Sequence, residues 1–171
     1  MLVYPVELKK DSGATVVTVP DIPGVMTYGK DTEDACLHAK DALETAIWFL
    51  MKDQQGVPSP STPRQGQETV RLGTLSDLKV TLYGAMRDRY VTKAELARMM
   101  GLQASQVDRL LSRGHSSRLE LFDRAFAALG KVVSLNLKDE WQAGNIHLTG
   151  SARVAEPKAS YRPGNASVSR P

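Results

Sequence analysis

Short runs rich in apolar, β-branched and aromatic residues at the start of the chain are typical of β-strands. Two such runs cover residues 2–8 and 14–19, and the turn-forming residues 10–13 between them predict a hairpin. The Pro and Gly residues of 20–24 end the second strand, and residues 25–29 supply a short third one. The sequence therefore predicts three strands in succession.

After the third strand, apolar residues recur three and four positions apart, which predicts a long helix. Asp31 is a suitable N-cap residue, and Asp34 stands three positions later, as in a capping box. The apolar residues that then share one helix face are Ala35, Ala39, Ala42, Leu43, Ala46, Ile47 and Leu50. We expect this stripe to cover the sheet. Residues 69–72 can return as a last strand, which completes a β-β-β-α-β unit.

Two segments without apolar periodicity divide the chain. Residues 56–67 are rich in Pro, Ser and Gly, which predicts a semi-extended linker. Residues 150–171 hold four basic residues against Glu156 alone and almost no large apolar residues, which predicts a disordered basic tail. The expected organisation is a first domain over 1–75, a second over 76–138 and the tail over 139–171.

The second segment has the caps and apolar spacing of several short helices. Ser76 is expected to cap a helix that runs to about Arg89. Three more helices are predicted: one opened by a capping box at 92–95 and ended by Gly101, one over about 104–112, and one opened by a capping box at 117–120 that runs to Leu129.

The spacing between the second and third of these helices is that of a helix-turn-helix. Short helices that cross steeply need a small residue at their contact and a residue free to take positive φ at the turn, and Ala97 and Gly101 meet these demands. Val107, Leu110 and Leu111 form the buried side of the third helix. A plain helical bundle with a charged surface is the alternative interpretation.

In a helix-turn-helix, the last of the two helices lies in the major groove of DNA with its early residues toward the base edges. Gln106 and Arg109 have the chemistry that reads adenine and guanine. The residues expected to face the bases are Ala104, Ser105, Gln106, Asp108 and Arg109. The residues expected at phosphates are Thr92 at the amino end of its helix, Lys93, Arg98, Arg113 and Arg118.

The net charge changes sign between the two segments. Residues 1–56 hold five lysines and nine acidic residues, whereas residues 76–118 hold eight basic and four acidic residues. The basic segment suits a polyanion such as double-stranded DNA, and the acidic segment suits a different partner. Solubility alone is the other explanation for this asymmetry.

Catalytic chemistry is sparse in the first segment. Cys36 and His38 stand two positions apart on a helix and so face different directions, which excludes them as a paired metal site. A two-metal nuclease needs carboxylates that converge from strand centres, and the first strand offers only Glu7. We therefore expect no metal and no cofactor. One cysteine and no apolar run long enough to cross a bilayer predict a cytoplasmic chain without a membrane partner.

Taken in order, these motifs resemble HicB-type antitoxins that carry a Cro/repressor-like helix-turn-helix. The matching segments are PDIPG at 20–24, DA at 34–35 with AKDAL at 39–43, KVTLY at 79–83, ELA at 95–97 followed by Gly101, VDRLL at 107–111 and ALGK at 128–131. The resemblance implies a partial RNase H-like amino-terminal domain that binds and masks a small HicA-type mRNA interferase. It also implies a carboxy-terminal domain that represses the operon of the pair. Gln103 departs from the Ser or Thr that usually caps the recognition helix of such motifs.

The leading interpretation is an α+β regulatory protein that is not an enzyme: a partial RNase H-like β-β-β-α-β domain, an all-α helix-turn-helix domain and a disordered tail. We expect a homodimer or a larger homo-oligomer, because one half-site contact is usually too weak for an operator. Val133, Leu135 and Leu137 alternate with their neighbours as in a strand that can pair across a dimer axis. The alternative is a solitary repressor whose first domain dimerises or senses a ligand.

Overall fold

The computed structural model describes residues 1–134; the predicted tail over 139–171 lies outside the described residues. In chain order the elements are β1 (Val3–Pro5), β2 (Glu7–Asp11), β3 (Ala14–Thr18), β4 (Met26–Gly29), α1 (Thr32–Lys52), β5 (Thr69–Arg71), α2 (Thr74–Asp88), α3 (Lys93–Met100), α4 (Ala104–Leu111) and α5 (Leu119–Ala128). Two small sheets and the helix α1 precede four further helices within the described residues. The predicted α+β class is confirmed.

The five strands form two small antiparallel sheets, with the strand orders β1-β5 and β2-β3-β4. β2 and β3 form the predicted antiparallel hairpin, which reverses at Ser12 and Gly13 with φ of 47° and 86°. β4 pairs antiparallel with β3, and β1 pairs antiparallel with β5. The predicted single strand over 2–8 is interrupted at Val6, whose N–H donates to the Glu68 carbonyl at 2.9 Å. The chain changes its pairing partner there, from β5 to β3, which splits the run into two strands.

α1 begins where its cap predicts and packs on the sheet. Asp31 is the N-cap, and its Oδ1 accepts the N–H of Asp34 at 2.9 Å. The buried residues of the helix recur at every fourth position: Ala35, Ala39, Leu43, Ile47 and Met51. The start of α1 lies so close to the end of β4 that a Cβ at Gly29 would stand 2.6 Å from the carbonyl carbon of Asp34.

Two predicted caps of the second segment are wrong. α2 begins at Thr74 with Gly73 as N-cap, so Ser76 lies inside the first turn. The N–H of Gly73 donates to Glu44 Oε1 at 2.9 Å, and this bond from α1 sets the start of α2. α5 begins at Leu119 after Arg118 with no side-chain cap, and the Ser117 hydroxyl is buried without a hydrogen-bond partner among the described residues.

The segment over 53–68 has no helix or strand, as its composition predicts, but it is held in place at several points. Its carbonyl at Pro58 accepts the Tyr4 hydroxyl at 2.8 Å, and Ser61 donates its N–H and its hydroxyl to Asp21 Oδ2 at 2.9 and 3.1 Å. The Tyr83 hydroxyl of α2 donates to the Gln55 carbonyl at 2.7 Å.

Sheet and helices share one core. The buried apolar residues of β1, α1, β5 and α2 belong to the same cluster as those of α3, α4 and α5. The described residues accordingly fall in one compact unit.

Tyr4 is a buried titratable residue of this core. Burial raises its pKa to about 12, because the phenolate would be withheld from water, and the nearby Asp21 and Asp77 make smaller contributions.

Candidate nucleic-acid interface

The amino end of α3 is fixed by the predicted capping box. Thr92 Oγ1 accepts the N–H of Glu95 at 3.2 Å, and Glu95 Oε2 accepts the N–H of Thr92 at 2.7 Å. Hydrogen bonds from the backbone and hydroxyl of Thr92 lower the pKa of the Glu95 carboxyl, because they favour its charged form. The remaining N–H groups of this first turn have no acceptor within the helix and lie at the positive end of the helix dipole.

A tight turn joins α3 to α4. Gly101 adopts φ of 65°, the left-handed conformation that glycine takes without strain, and its N–H donates to the Arg98 carbonyl at 3.1 Å. The next N–H, of Leu102, donates to the Ala97 carbonyl at 2.8 Å. Ala97 is buried, as expected of a small residue where two helices touch.

α4 separates its apolar and polar residues cleanly. Val107, Leu110 and Leu111 are buried against the other helices. The opposite face is exposed and consists of the five residues predicted to face DNA bases: Ala104, Ser105, Gln106, Asp108 and Arg109. Their exposure agrees with the prediction, and their contact with DNA stays a prediction.

Gln103 is the N-cap of α4 in spite of its unusual side chain. The capping side chain is that of Gln106, whose Oε1 accepts the N–H of Gln103 at 3.0 Å. The N–H of Gln106 in turn donates to the Gln103 carbonyl at 2.9 Å. The helix therefore begins at Ala104, without a loose first turn.

The predicted phosphate-contacting residues differ in their surroundings. Lys93 Nζ lies 2.5 Å from Asp108 Oδ1, an ion pair that joins the start of α3 to the exposed face of α4. Arg113 forms an ion pair with Asp41 of α1. Arg98 and Arg118 are exposed, the first on α3 and the second at the amino end of α5. Arg98 and Arg118 are thus the clearest phosphate candidates of the set.

Lys79 is one of the eight basic residues of 76–118, and it is only 6% exposed. Its Nζ donates to the carbonyls of Ser112 and His115 at 2.5 and 2.7 Å, directly after α4. Burial lowers the pKa of the Lys79 amine, because the ammonium loses water. The signal in the sequence was its spacing, since position 79 shares a helix face with Leu82 and Met86.

Within residues 1–134, no group of three His, Cys, Asp or Glu side chains is arranged to hold a metal ion. None of the helices described over the same range is both long and apolar enough to cross a bilayer.

Comparison with known proteins gives a consistent result. Residues 3–81 match the family model of HicB-like antitoxins of bacterial toxin–antitoxin systems. The chain is 36% identical over 132 residues to Antitoxin HicB 2 of Photorhabdus laumondii, an alignment that covers 77% of this chain and 94% of the relative. It is 34% identical over 139 residues to Antitoxin HicB of Pseudomonas fluorescens, with 81% and 95% covered. Antitoxin HicB of Escherichia coli K12 is 33% identical over 133 residues, with 77% and 96% covered.

Proposed function

Because the chain belongs to the HicB antitoxin family, we propose that it neutralises a HicA-type mRNA interferase and represses its own operon by binding DNA. Antitoxins of this family belong to bacterial toxin–antitoxin systems, which supports a toxin partner and a regulatory role for this chain. An mRNA-cleaving toxin and an operator both reside in the bacterial cytoplasm, where the proposal places this chain.

The exposed face of α4 is the observation that supports DNA binding. Arg109 presents a planar guanidinium that can bond two acceptors of one guanine, and Gln106 retains its amide N–H₂ for a base edge. The first turn of α3 and the exposed Arg98 and Arg118 can meet phosphates on either side. Base contacts would supply sequence discrimination, and phosphate contacts would supply salt-dependent affinity.

The Lys93–Asp108 pair adds a further feature to this surface. Both side chains are substantially exposed, at 43% and 64%, so their attraction is weak and readily exchanged. A phosphate that approaches the amino end of α3 can replace Asp108 as the partner of Lys93. We propose that DNA binding opens this pair.

Charge supports the toxin-binding half of the proposal. A nuclease that binds mRNA carries a basic surface, and residues 1–56 carry nine acidic residues against five lysines. Purification of the full chain from native cells should yield a small basic protein encoded next to it. The solitary-repressor alternative expects no such partner, and a chain that purifies alone and fails to relieve growth arrest by its neighbour would favour that alternative.

The DNA-binding half can be tested with two variants on neighbouring helices. Arg109→Ala should reduce the difference in binding free energy between operator and random DNA by about 1–3 kcal/mol, which is the usual contribution of a bidentate base contact. Arg98→Ala should weaken both complexes alike and lower the slope of log affinity against log salt by about one. Equal profiles for the two variants would contradict the proposed placement of α4. Light scattering with operator DNA should show at least a homodimer, and a monomer would contradict the expected assembly.

A further inference from the structure

The segment that follows α4 is held from two sides although it has no helix or strand itself. Ser112 is the C-cap of α4, and residues 113–116 form a turn and an extended stretch. Gly114 adopts φ of 76°, which reverses the chain so that the carbonyls of Ser112 and His115 converge on one point. That point is Nζ of Lys79.

Lys79 is well suited to hold this segment. A positive charge at the carboxyl end of a helix is favoured by the helix dipole, and charged donors make the stronger hydrogen bonds. Because Lys79 stands on α2 and is 6% exposed, its ammonium is withdrawn from solvent and from any phosphate. Its two described hydrogen bonds both go to the end of α4 rather than to its own helix.

A second contact fixes the same segment from α1. In the sequence, Arg113 stands between Ser112 and His115, whose carbonyls accept the Lys79 hydrogen bonds. Its guanidinium pairs with the Asp41 carboxylate. The contact is exposed and therefore weaker than the buried one. Through these two contacts, α1 and α2 both determine where α4 ends.

We propose that Lys79 is a positioning residue for DNA recognition: it fixes the carboxyl end of α4 and so aims the exposed face of that helix at the bases. The inference rests on the proposed DNA-binding function. α4 has only eight residues and three buried side chains, so the contacts at its carboxyl end add to the few that set its rotation about its axis. Bidentate base contacts tolerate misplacement of only about 0.5 Å, so a small rotation of α4 is sufficient to lose them.

The test uses Lys79→Met in the full chain, because methionine keeps an unbranched side chain and removes both donors. Operator and random DNA are titrated at several salt concentrations, well below the unfolding temperature. We expect operator affinity to fall by about 5- to 150-fold, the worth of one misaligned bidentate contact, with random-DNA affinity and salt slope unchanged. Arg98→Ala is the matched control, and it should lower the slope instead. Amide exchange at residues 109–115 should accelerate in Lys79→Met.

A merely structural role gives a different result, since a smaller folded fraction lowers operator and random binding by the same factor. That equal loss, or unchanged amide exchange, would overturn the inference, and a lower salt slope would make Lys79 a phosphate contact instead. If Lys79→Met does not fold, Asp41→Ala removes the exposed contact and should shift the operator-to-random ratio in the same direction by a smaller factor; an unchanged ratio would then overturn the inference. A wild-type chain with no operator preference would contradict the proposed function itself, which is a distinct outcome.

Discussion

Replacing Gly29 with alanine should destabilise the fold strongly, because the added methyl group has no space. A Cβ at this position would lie 2.6 Å from the carbonyl carbon of Asp34 and 2.7 Å from Cα of Ala35, and closer still to the Ala35 nitrogen. Non-bonded carbon atoms prefer separations of about 3.5–4.0 Å, so the first turn of α1 would have to retreat by about 1 Å. All three neighbours are backbone atoms, which cannot turn aside as a flexible side chain could.

The cost follows from what that retreat disturbs. Overpacking a well-packed interior by one methyl group costs about 1–3 kcal/mol. The upper part of this range applies here, because Ala35 is fully buried and the Lys30 N–H donates to Asp34 Oδ2 at 2.9 Å. We expect the free energy of unfolding to fall by about 2–3 kcal/mol with an unchanged denaturant slope, as measured by urea titration followed by circular dichroism.

Gly84 provides the matched control in the same chain. It lies inside α2, and a Cβ there would meet nothing within 4 Å. Gly84→Ala should therefore stabilise the protein by about 0.5–1 kcal/mol, the usual gain from replacing a glycine inside a helix. The close contact of β4 and α1 would be refuted if the free energy of unfolding of Gly29→Ala lay within about 0.5 kcal/mol of the wild-type value. It would also be refuted if both variants shifted the free energy of unfolding in the same direction.

Three further outcomes are expected. Asp108→Asn should release Lys93, change stability by less than about 1 kcal/mol and raise DNA affinity with an unchanged salt slope, because DNA no longer has to open the pair, and an unchanged affinity would show that Lys93 does not reach phosphate. The pKa of Tyr4 in the folded chain, about 12, lies above its ordinary value of 10.0, so its contribution to stability is present below pH 10 and lost as the pH rises toward 12. Tyr4→Phe should flatten that alkaline decline in urea titrations at successive pH values, whereas a parallel decline would exclude Tyr4 as its source. Thr92→Ala should lower the free energy of unfolding by about 1 kcal/mol and speed amide exchange in α3, and equal exchange would contradict the role of the capping box.

Features that depend on neighbours in sequence were predictable. Asp31 and Asp34 cap α1 from three residues apart, and the hairpin turn needs only Ser12 and Gly13. Gly101 is required by its own φ. The exposed face of α4 followed from helical periodicity alone. These signals are local, so a single sequence contains them in full.

Features that depend on distant partners were not predictable in the same way. Gly73 starts α2 because of Glu44, which lies 29 residues earlier, and this tertiary bond took precedence over the capping preference of Ser76. The contacts of Lys79 were not predictable because its carbonyl partners stand 33 and 36 residues further on. The attachment of the semi-extended linker predicted over 56–67 was not predictable, because nothing in its own composition indicates the Tyr4 hydroxyl.

The attachment of that segment has a consequence for the lifetime of the chain in the cell. Stretches rich in Pro, Ser and Gly without regular structure are preferred sites of proteolytic cleavage. Here the contacts with Tyr4, Asp21 and Tyr83 must open before a protease can thread the segment, so the rate of cleavage follows the equilibrium of local opening. A cut would divide a core that sheet and helices share. Loss of a few hydrogen bonds of the segment over 53–68 would therefore shorten the lifetime of the whole protein.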